Sequence, residues 1–475
     1  MLTKVRNNRV ISKINKFIDG RGFAPVFAAF VLAVHCLGLD VAGYVLSVLL
    51  FVYINVFCDD VRPVFVIAFL APMCASEKHA PGYNHGDGYY SSIGVIIALS
   101  LCVAAILATI VYRFVICKGY KNLFKKAPLA VGLIIFSATL LTAGLFSKYW
   151  SVDSLFVAGM VIGTSLLFYV YAAVSTSPKE DNLRYIGRLC AITTVEILIQ
   201  LLIFYIGNFD FSSGVLDGVW KGNIIVGWGI SNSIGEFLVL MLAGVLSLAY
   251  TEERGFVYYV LAMLSLVGAY FTLSRCAVLI GVGVFAVGSV AIAIASKEKQ
   301  KNRLLLLVFL AALALAIAFL ARTERIEGFF KFFKDSGFGD RGRFGLWKEF
   351  MELWKEYPVL GTGFAAFKKI HSSPSVFHNF AHDTIVQMLS SAGVVGLLGY
   401  MIHRIQTIKL FVSKPTINRL FLVLGVASYV AMGLIDTITF FASFIVVYTI
   451  FLVCIEKDLA FCLETQNGEK VNEET

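Results

Sequence analysis

The chain is organised as a series of long apolar segments separated by short polar connectors. Three of the segments, 93–116, 155–174 and 304–320, contain no Asp or Glu. A helix of roughly 20 apolar residues, rising about 1.5 Å per residue, crosses the hydrocarbon core of a bilayer. A large soluble helical core would need a polar face on each segment, and these segments have none. The pattern therefore predicts an all-α polytopic membrane protein.

The apolar segments predict about fourteen membrane-spanning helices, or twelve to thirteen if the first three, which are short, do not all cross. They are residues 23–39, 41–57, 63–76, 92–116, 127–146, 154–174, 185–207, 233–250, 255–273, 276–295, 303–321, 384–403, 418–434 and 437–455. The predicted organisation is a cytoplasmic tail at 1–22, a helix bundle at 23–321, a large extracytoplasmic loop at 322–383, C-terminal membrane helices at 384–455 and a second cytoplasmic tail at 456–475.

Composition and charge agree with a membrane protein and predict its orientation. The chain is 58% hydrophobic and 15% charged, with a net charge of +9. Lys and Arg concentrate in alternate short connectors, which is the positive-inside pattern and not a nucleic-acid-binding face. The predicted inner connectors are 117–126, 175–184, 251–254, 296–303 and 403–419. Both termini are then cytoplasmic, and the long connectors 77–92, 208–232 and 322–383 face outward.

The largest outer connector contains an amphipathic pattern. Within 346–357, aromatic and apolar residues recur at helical spacing, while Lys and Glu occupy the other side. The apolar positions are Trp347, Phe350, Met351, Trp354 and Tyr357. Residues 326–333 show a similar pattern. We therefore expect helices that rest on the outer membrane surface as a cap, with a purely structural lid as the alternative.

Several charged residues within or beside apolar segments are candidates for chemistry. Arg275, at the predicted outer end of two helices joined by almost no loop, is either a phosphate clamp or a snorkelling or helix-capping Arg. Arg341 and Arg343 lie just before the amphipathic helix, where they form either an anion site or a solvated cluster. Glu196, Glu236 and Asp436 are expected to be partners of an internal Arg or polar helix contacts. A catalytic role is the alternative for each of these carboxylates.

Two histidines precede the segment that begins at 384. His378 and His382 are four residues apart, on one face if helical. A histidine at the membrane edge can act as a general base for a sugar hydroxyl, because its pKa lies near working pH. A structural histidine is the alternative, and metal binding is disfavoured because no third ligand is evident. The chain also lacks a Walker motif, a Rossmann fingerprint and cysteines at metal spacing, so we expect no cofactor, no metal and no cytosolic nucleotide donor.

Four short motifs in order resemble the O-antigen ligase and Wzy-type polysaccharide polymerase family. They are Gly227-Trp228-Gly229-Ile230-Ser231-Asn232; Thr272-Leu273-Ser274-Arg275; Arg343 with Trp347 and the run Pro358 to Gly363; and His382-Asp383 before Gly393 and Gly396. The resemblance covers roughly 227–400. The residue after the family histidine is often Asn, whereas here it is Asp383, and His378-Asn379 reproduces the pair four residues earlier.

The resemblance implies a GT-C-like membrane glycosyltransferase that takes a glycan from undecaprenyl diphosphate at the outer face. The acceptor is another lipid-linked glycan in a polymerase, or a glycolipid or protein in a ligase. The family histidine matches His382, with His378 second. Arg275 and Arg343 match the arginines by which the family is thought to hold the diphosphate, and Arg341 is a further candidate beside Arg343. Another family arginine has no Arg counterpart here, and Lys221 could replace it only as a point charge without the guanidinium fork. No metal is implied.

The sequence thus predicts a surface-polysaccharide polymerase or ligase that works without a nucleotide or a metal. Its expected partners are the lipid-linked donor, an acceptor glycan or glycolipid, the bilayer and other polysaccharide-assembly proteins. The rival prediction is a lipid-linked oligosaccharide flippase or other polysaccharide transporter. A flippase would show two related halves and a charged central cavity, whereas here the polar residues concentrate at the outer edge.

Overall fold

The fold is a bundle of apolar helices, seen in a computed structural model that describes residues 8–76, 92–210, 215–216, 221–322, 343–364 and 380–473. The helices are α1 (Arg9–Ile18), α2 (Phe23–Leu37), α3 (Asp40–Phe57), α4 (Arg62–Leu70), α5 (Ile93–Ile116), α6 (Leu123–Lys126), α7 (Ala130–Phe146), α8 (Val152–Ile162), α9 (Phe168–Ser175), α10 (Asn182–Gly207), α11 (Ser231–Thr251), α12 (Gly255–Phe271), α13 (Arg275–Ala295), α14 (Lys299–Arg322), α15 (Arg343–Glu356), α16 (Thr384–Val412), α17 (Ile417–Gly433) and α18 (Ala442–Glu473).

Short elements join some of these helices. A 3₁₀ turn at Ala71–Cys74 continues α4, a π-helical turn at Gly163–Leu167 joins α8 to α9, and a 3₁₀ turn at Ile438–Phe440 precedes α18. Two small antiparallel hairpins lie between α10 and α11. Their strands are β1 (Phe209–Asp210), β2 (Val215–Leu216), β3 (Ile225–Val226) and β4 (Gly229–Ile230).

The structure confirms an all-α polytopic membrane protein but lowers the number of clear spans. Among the described residues, eight helices are long and apolar enough to cross a membrane, or nine if α1 and α2, which meet at a bend of 81°, count as one span. Four further apolar helices (Arg62–Cys74, α7, α12 and α17) are 10–17 residues long. These helices fall short of the roughly 20 residues that a perpendicular crossing needs, which explains why the predicted count of about 12–14 is higher.

Helix α11 lies at the centre of the bundle. In its apolar window 89% of the residues are buried inside the protein, against 6% in α5 and in α14. Helix α11 packs against α10, α12, α13 and α17. A helix that is apolar on every side suits either protein or lipid, so only packing distinguishes the central helix from the peripheral ones.

The predicted amphipathic helix is confirmed as α15, which packs against α16. Phe350 and Leu353 of α15 are buried, and the Trp347 indole N–H donates to the Ala381 carbonyl oxygen at 2.7 Å. The second predicted amphipathic stretch, 326–333, lies outside the described residues. At the other end of the chain, α18 continues from the bundle through the predicted C-terminal tail.

The segment after α15 is inserted into a break in α16. Gly393 has φ 65° and ψ −166°, which interrupts the helix, and a Cβ on this residue would lie 2.1 Å from the Val359 carbonyl oxygen. The Val394 amide donates to the Pro358 carbonyl at 2.9 Å, and the Thr362 amide donates to that of Ser390 at 2.8 Å. Only glycine adopts this backbone conformation without strain. The break therefore joins the part of the predicted outer loop that follows α15 to the interior of α16.

Candidate active site at the start of helix α16

His382 and Asp436 form a hydrogen-bonded pair between two helix ends. His382 lies two residues before α16, Asp436 lies in the turn after α17, and the His382 Nδ1 is 2.8 Å from the Asp436 Oδ1. His382 has a φ of 52°, in the left-handed region that non-glycine residues adopt rarely. Asp383 caps α16 by accepting from the Val386 amide at 2.8 Å, and the Thr384 hydroxyl donates to the Gly433 carbonyl at 2.7 Å. These contacts hold both members of the pair in place.

The surroundings of Asp436 keep its carboxylate ionised. Its Oδ2 accepts from the Asn232 amide at 2.9 Å, and its Oδ1 accepts from the Thr437 backbone N–H at 2.8 Å. Burial alone would raise the pKa of Asp436, but the hydrogen bond and charge of His382, the charge of Arg343 and the Thr437 N–H together lower it to about 2. A buried carboxylate that accepts several hydrogen bonds from such partners remains charged.

The pairing selects the tautomer of His382. Nδ1 faces an ionised acceptor and must carry the proton, so Nε2 of the neutral ring is the basic nitrogen. Among the described residues no side chain hydrogen-bonds that Nε2, and 23% of the His382 side chain is exposed. An imidazole oriented by a buried carboxylate, with its second nitrogen accessible, is the arrangement of a general base.

Positive charge lies beside this pair. Arg343, the first residue of α15, donates from Nη1 to the Ile435 carbonyl oxygen at 2.6 Å, next to Asp436 in the chain. Arg343 and Lys221 both interact electrostatically with Glu236 of α11, as does Asp436. Glu236 is 1% exposed and lies one helical turn after Asn232. The site thus combines two buried carboxylates with at least two cationic side chains.

A tight turn between α12 and α13, which leads to Arg275, packs against the start of α11. The Ser231 hydroxyl donates to the Thr272 carbonyl oxygen, and a Cβ on Gly235 would lie 2.4 Å from the Thr272 hydroxyl. Ser274 caps α13 by accepting from the Ala277 amide at 3.4 Å. Arg275 is the half-buried first residue of α13, and the thiol of the next residue, Cys276, lies against Glu236.

The structure therefore brings Asn232, Arg343 and His382, which belong to three of the predicted motifs, to Asp436. His382 and Arg343 interact with Asp436, Arg343 and Lys221 interact with Glu236, and Arg275 precedes Cys276, whose thiol lies against Glu236. His378 and Arg341 lie outside the described residues. Glu196, the third carboxylate singled out, lies in α10 and accepts from the Gln200 amide at 2.8 Å.

Sequence reasoning missed the histidine partner of Asp436 and the role of Asn232. Asp436 stands out in the sequence only as a single carboxylate in apolar surroundings, 54 residues from His382. Asn232 ends the first family-like motif, but the acid that it contacts is 204 residues away. The signal that could have suggested the pair is a single acid at the end of an apolar segment in a chain that also has a histidine at the end of another apolar segment.

Comparison with known proteins finds a match for part of the chain. Residues 260–401 match the family model described as O-antigen ligase (Wzy_C). The match supports assignment of the chain to an O-antigen ligase-like family, and with it a polysaccharide ligase or polymerase type of function. No curated protein matches the chain. The matched residues include Arg275, Arg343 and His382, whereas Asn232 and Asp436 lie outside them.

Proposed function

We propose that this protein transfers a glycan from undecaprenyl diphosphate to an acceptor hydroxyl at the outer face of the cytoplasmic membrane, as a surface-polysaccharide polymerase or ligase. The hydrogen bond between His382 and Asp436 is the single observation that carries the proposal, because it makes a base from an otherwise ordinary histidine. The family match to an O-antigen ligase supports the class of reaction.

In this proposal, His382 activates the acceptor. Its Nε2 takes the proton from the acceptor hydroxyl as the oxygen attacks C1 of the donor sugar. The bond between C1 and the diphosphate oxygen breaks, and its electron pair leaves with the diphosphate. A direct attack of this kind inverts the configuration at C1. Asp436 stabilises the imidazolium that forms, since an ionised carboxylate lies on its other nitrogen.

The leaving diphosphate is the second requirement of the reaction. Arg275, Arg343 and Lys221 are proposed to hold it, with Arg341 beside Arg343 in the sequence. A guanidinium matches phosphate oxygens with two parallel hydrogen bonds, and positive charge stabilises the negative charge that develops on the leaving group. These cations allow the reaction to proceed without a metal or a nucleotide, because the lipid diphosphate is already an activated leaving group.

The proposed orientation follows from the charge bias of the connectors. In this orientation both termini face the cytoplasm, so the start of α16 and the helix α15 that packs against it lie on the outer side. Within this organisation, the helices at 23–321 and 384–455 form the membrane bundle that gives the lipid-linked donor access from the bilayer. The acceptor glycan or glycolipid approaches from the outer leaflet.

Replacement of His382 by Ala tests the proposal directly. The variant is expressed in the native host, its presence in the membrane is confirmed, and the surface glycan is separated on a gel. Loss of long-chain material is expected, and unchanged long chains would refute the role of His382. Single repeat units remaining on the lipid identify a polymerase, whereas intact but unattached chains identify a ligase. An Arg275→Lys variant tests the bidentate contact to diphosphate in the same assay.

A further inference from the structure

A cavity of about 300 Å³ lies beside the candidate active site, and none of the proposed catalytic or diphosphate-binding residues lines it. It is bounded by the last turn of α2, the last two turns of α10 and strand β3. The lining residues are His35, Gln200, Ile203, Phe204, Gly207, Asn208 and Ile225. Its volume falls at the lower end of the range for ligand pockets.

Gln200, which belongs to the lining of this cavity, has a side-chain oxygen without a hydrogen-bond donor among the described residues. Its amide nitrogen donates to the Met73 carbonyl oxygen at 3.1 Å and to the Glu196 carboxylate at 2.8 Å. Both partners are acceptors, so the nitrogen must face them and the carbonyl oxygen must point elsewhere. That oxygen is buried and accepts no hydrogen bond among the described residues. A buried acceptor without a donor is costly, so a bound group that supplies one would be stabilised.

The two other polar residues of the cavity also have acceptors to spare. His35 places Nδ1 2.6 Å from the Ala75 carbonyl oxygen and therefore donates from it, which leaves Nε2 of the neutral ring as an acceptor. The Asn208 amide nitrogen donates to the Phe204 carbonyl at 2.8 Å, which leaves its side-chain oxygen. The cavity thus offers three acceptors together with the apolar side chains of Ile203, Phe204 and Ile225.

This combination selects the chemistry of the ligand. Phosphate oxygens only accept hydrogen bonds, so a diphosphate would find no Lys or Arg among the lining residues and a single spare side-chain donor, the second N–H of the Asn208 amide. A lipid tail would leave the buried Gln200 oxygen unpaired. A sugar ring carries several hydroxyl donors on an apolar framework and satisfies both kinds of lining group.

The cavity is close enough to the active site to hold part of the same substrate. Ile225 of β3 lies opposite Ile230 of β4, and Asn232 follows two residues later. Paired residues of antiparallel strands are about 5 Å apart and consecutive Cα atoms 3.8 Å apart, so the Cα atoms of Ile225 and Asn232 are within about 13 Å of one another. One short hairpin therefore borders the cavity and leads directly to the amide that contacts Asp436.

We infer that this cavity is a subsite for a neutral, hydroxylated sugar ring of the glycan that is transferred or extended, distinct from the place where the diphosphate binds. The inference rests on the proposed function for the identity of the glycan. The hydrogen-bond acceptors that line the cavity define the ligand class independently of His382.

Gly207 provides the sharpest test because bulk can be added there without a collision. A Cβ on Gly207 would meet nothing within 4 Å, and the same is true of Gly159 in α8, away from the cavity. Full-length protein in lipid nanodiscs is titrated with a fluorescent oligosaccharide that mild acid has released from the lipid-linked glycan of the host. Gly207→Leu is expected to weaken binding at least tenfold, Gly207→Ala by less, and Gly159→Leu not at all. Equal affinity of the Gly207→Leu and Gly159→Leu variants would overturn the inference.

Three further measurements identify the ligand. Gln200→Leu should also weaken oligosaccharide binding about tenfold, for the loss of one hydrogen bond to the buried acceptor. Inorganic pyrophosphate should not displace the oligosaccharide, and displacement would show that the cavity takes the anion instead. In a transfer assay, a raised KM of Gly207→Leu for the lipid-linked donor alone assigns the ring to the donor. A raised KM for the acceptor alone assigns it to the acceptor.

The binding assay separates this inference from the proposed reaction. If His382→Ala retains transfer while Gly207→Leu loses the oligosaccharide, the proposed chemistry fails and the sugar subsite stands. If His382→Ala abolishes transfer while Gly207→Leu binds the oligosaccharide as tightly as the Gly159→Leu control, the chemistry stands and the subsite fails.

Discussion

Two histidines, His382 and His403, mark the two ends of the predicted span 384–403 in helix α16, and they have different surroundings. His382 precedes the helix, is partly exposed and contacts the ionised Asp436. His403, 21 residues further along, is 3% exposed and contacts the Tyr448 hydroxyl at 3.1 Å. At about 1.5 Å per residue the two lie up to roughly 30 Å apart, near the hydrocarbon thickness of a bilayer. Only His382 has a carboxylate that would stabilise an imidazolium.

The far end of α16 is organised around Arg404 instead. Its guanidinium carbon lies 4.6 Å from the ring centre of Tyr400, 4.9 Å from that of Tyr448 and 5.6 Å from that of Tyr429, and Nη1 donates to the Tyr448 hydroxyl at 2.7 Å. Aromatic faces stabilise a cation without neutralising it. The same residue type thus lies beside a carboxylate at one end, where we propose that it acts as a base, and packs beside a cation at the other.

Removal of each histidine's partner should produce the largest contrast. Asp436→Asn keeps the shape of the side chain but removes the charge and permits the wrong tautomer of His382, so transfer should fall by about 100-fold or more. Tyr448→Phe should keep transfer within about threefold and lower the free energy of unfolding by about 1 kcal/mol. Transfer in proteoliposomes and thermal unfolding measure the two effects. Equal losses of transfer would remove the distinction between the two ends.

The break at Gly393 connects these two ends, and an added methyl group should disturb it strongly. Gly393→Ala places a Cβ 2.1 Å from the Val359 carbonyl in a conformation open only to glycine, so we expect a loss of about 3 kcal/mol or more in stability together with loss of transfer. Gly94→Ala, in α5 where a Cβ meets nothing, is the matched control and should change stability by less than about 1 kcal/mol. Unfolding of the purified variants measures both, and similar values would contradict the role of the break.

Arg→Lys substitutions at both ends should separate binding from packing. Arg343→Lys keeps the charge but loses the planar fork, so transfer should fall about tenfold with little change in stability. Arg404→Lys loses the stacking on the tyrosine rings, so stability should fall by about 1–2 kcal/mol while transfer changes little. The same two assays apply. A transfer defect confined to Arg404→Lys would reverse the assignment of the two ends.

The smallest expected effect is the pH dependence of the His382 pair. The pKa of Asp436 is lowered to about 2, whereas an unfolded Asp titrates near 3.9. A depressed pKa means that the contribution to stability is complete above the unfolded value and is lost as the pH falls from about 4 to about 2. The difference in thermal stability between the wild type and Asp436→Asn should therefore still be present at about pH 5 and shrink as the pH falls from about 4 to about 2. A difference that disappears already at pH 6 would show that Asp436 is not held in its ionised form.

The helices themselves could be predicted from the sequence, because the information is local. An apolar segment without Asp or Glu must satisfy its backbone groups within itself inside a bilayer, and the helix is the structure that does so. The fourteen predicted segments each correspond to a helix, or to helices joined by a turn, in the structure. The number of crossings could not be predicted equally well, since helices such as α4 and α7 are too short for length and composition to show whether they cross.

The candidate site, unlike the helices, could be predicted only in part from local sequence. Sequence motifs and the family resemblance indicated His382, Arg343 and Arg275, because His382 and Arg275 stand at the ends of apolar segments and Arg343 stands at the start of the amphipathic helix. The sequence did not reveal that Asp436 and Asn232 belong to the candidate site. Asn232 is 204 residues from Asp436 in the chain, and His382 is 54 residues from it. Whether a histidine near the membrane is a base or a packing residue depends on which charge lies within a few ångströms of it. That proximity is a property of the folded bundle: helix ends converge only when α11, α16 and α17 pack together, and no local pattern encodes which ends will meet.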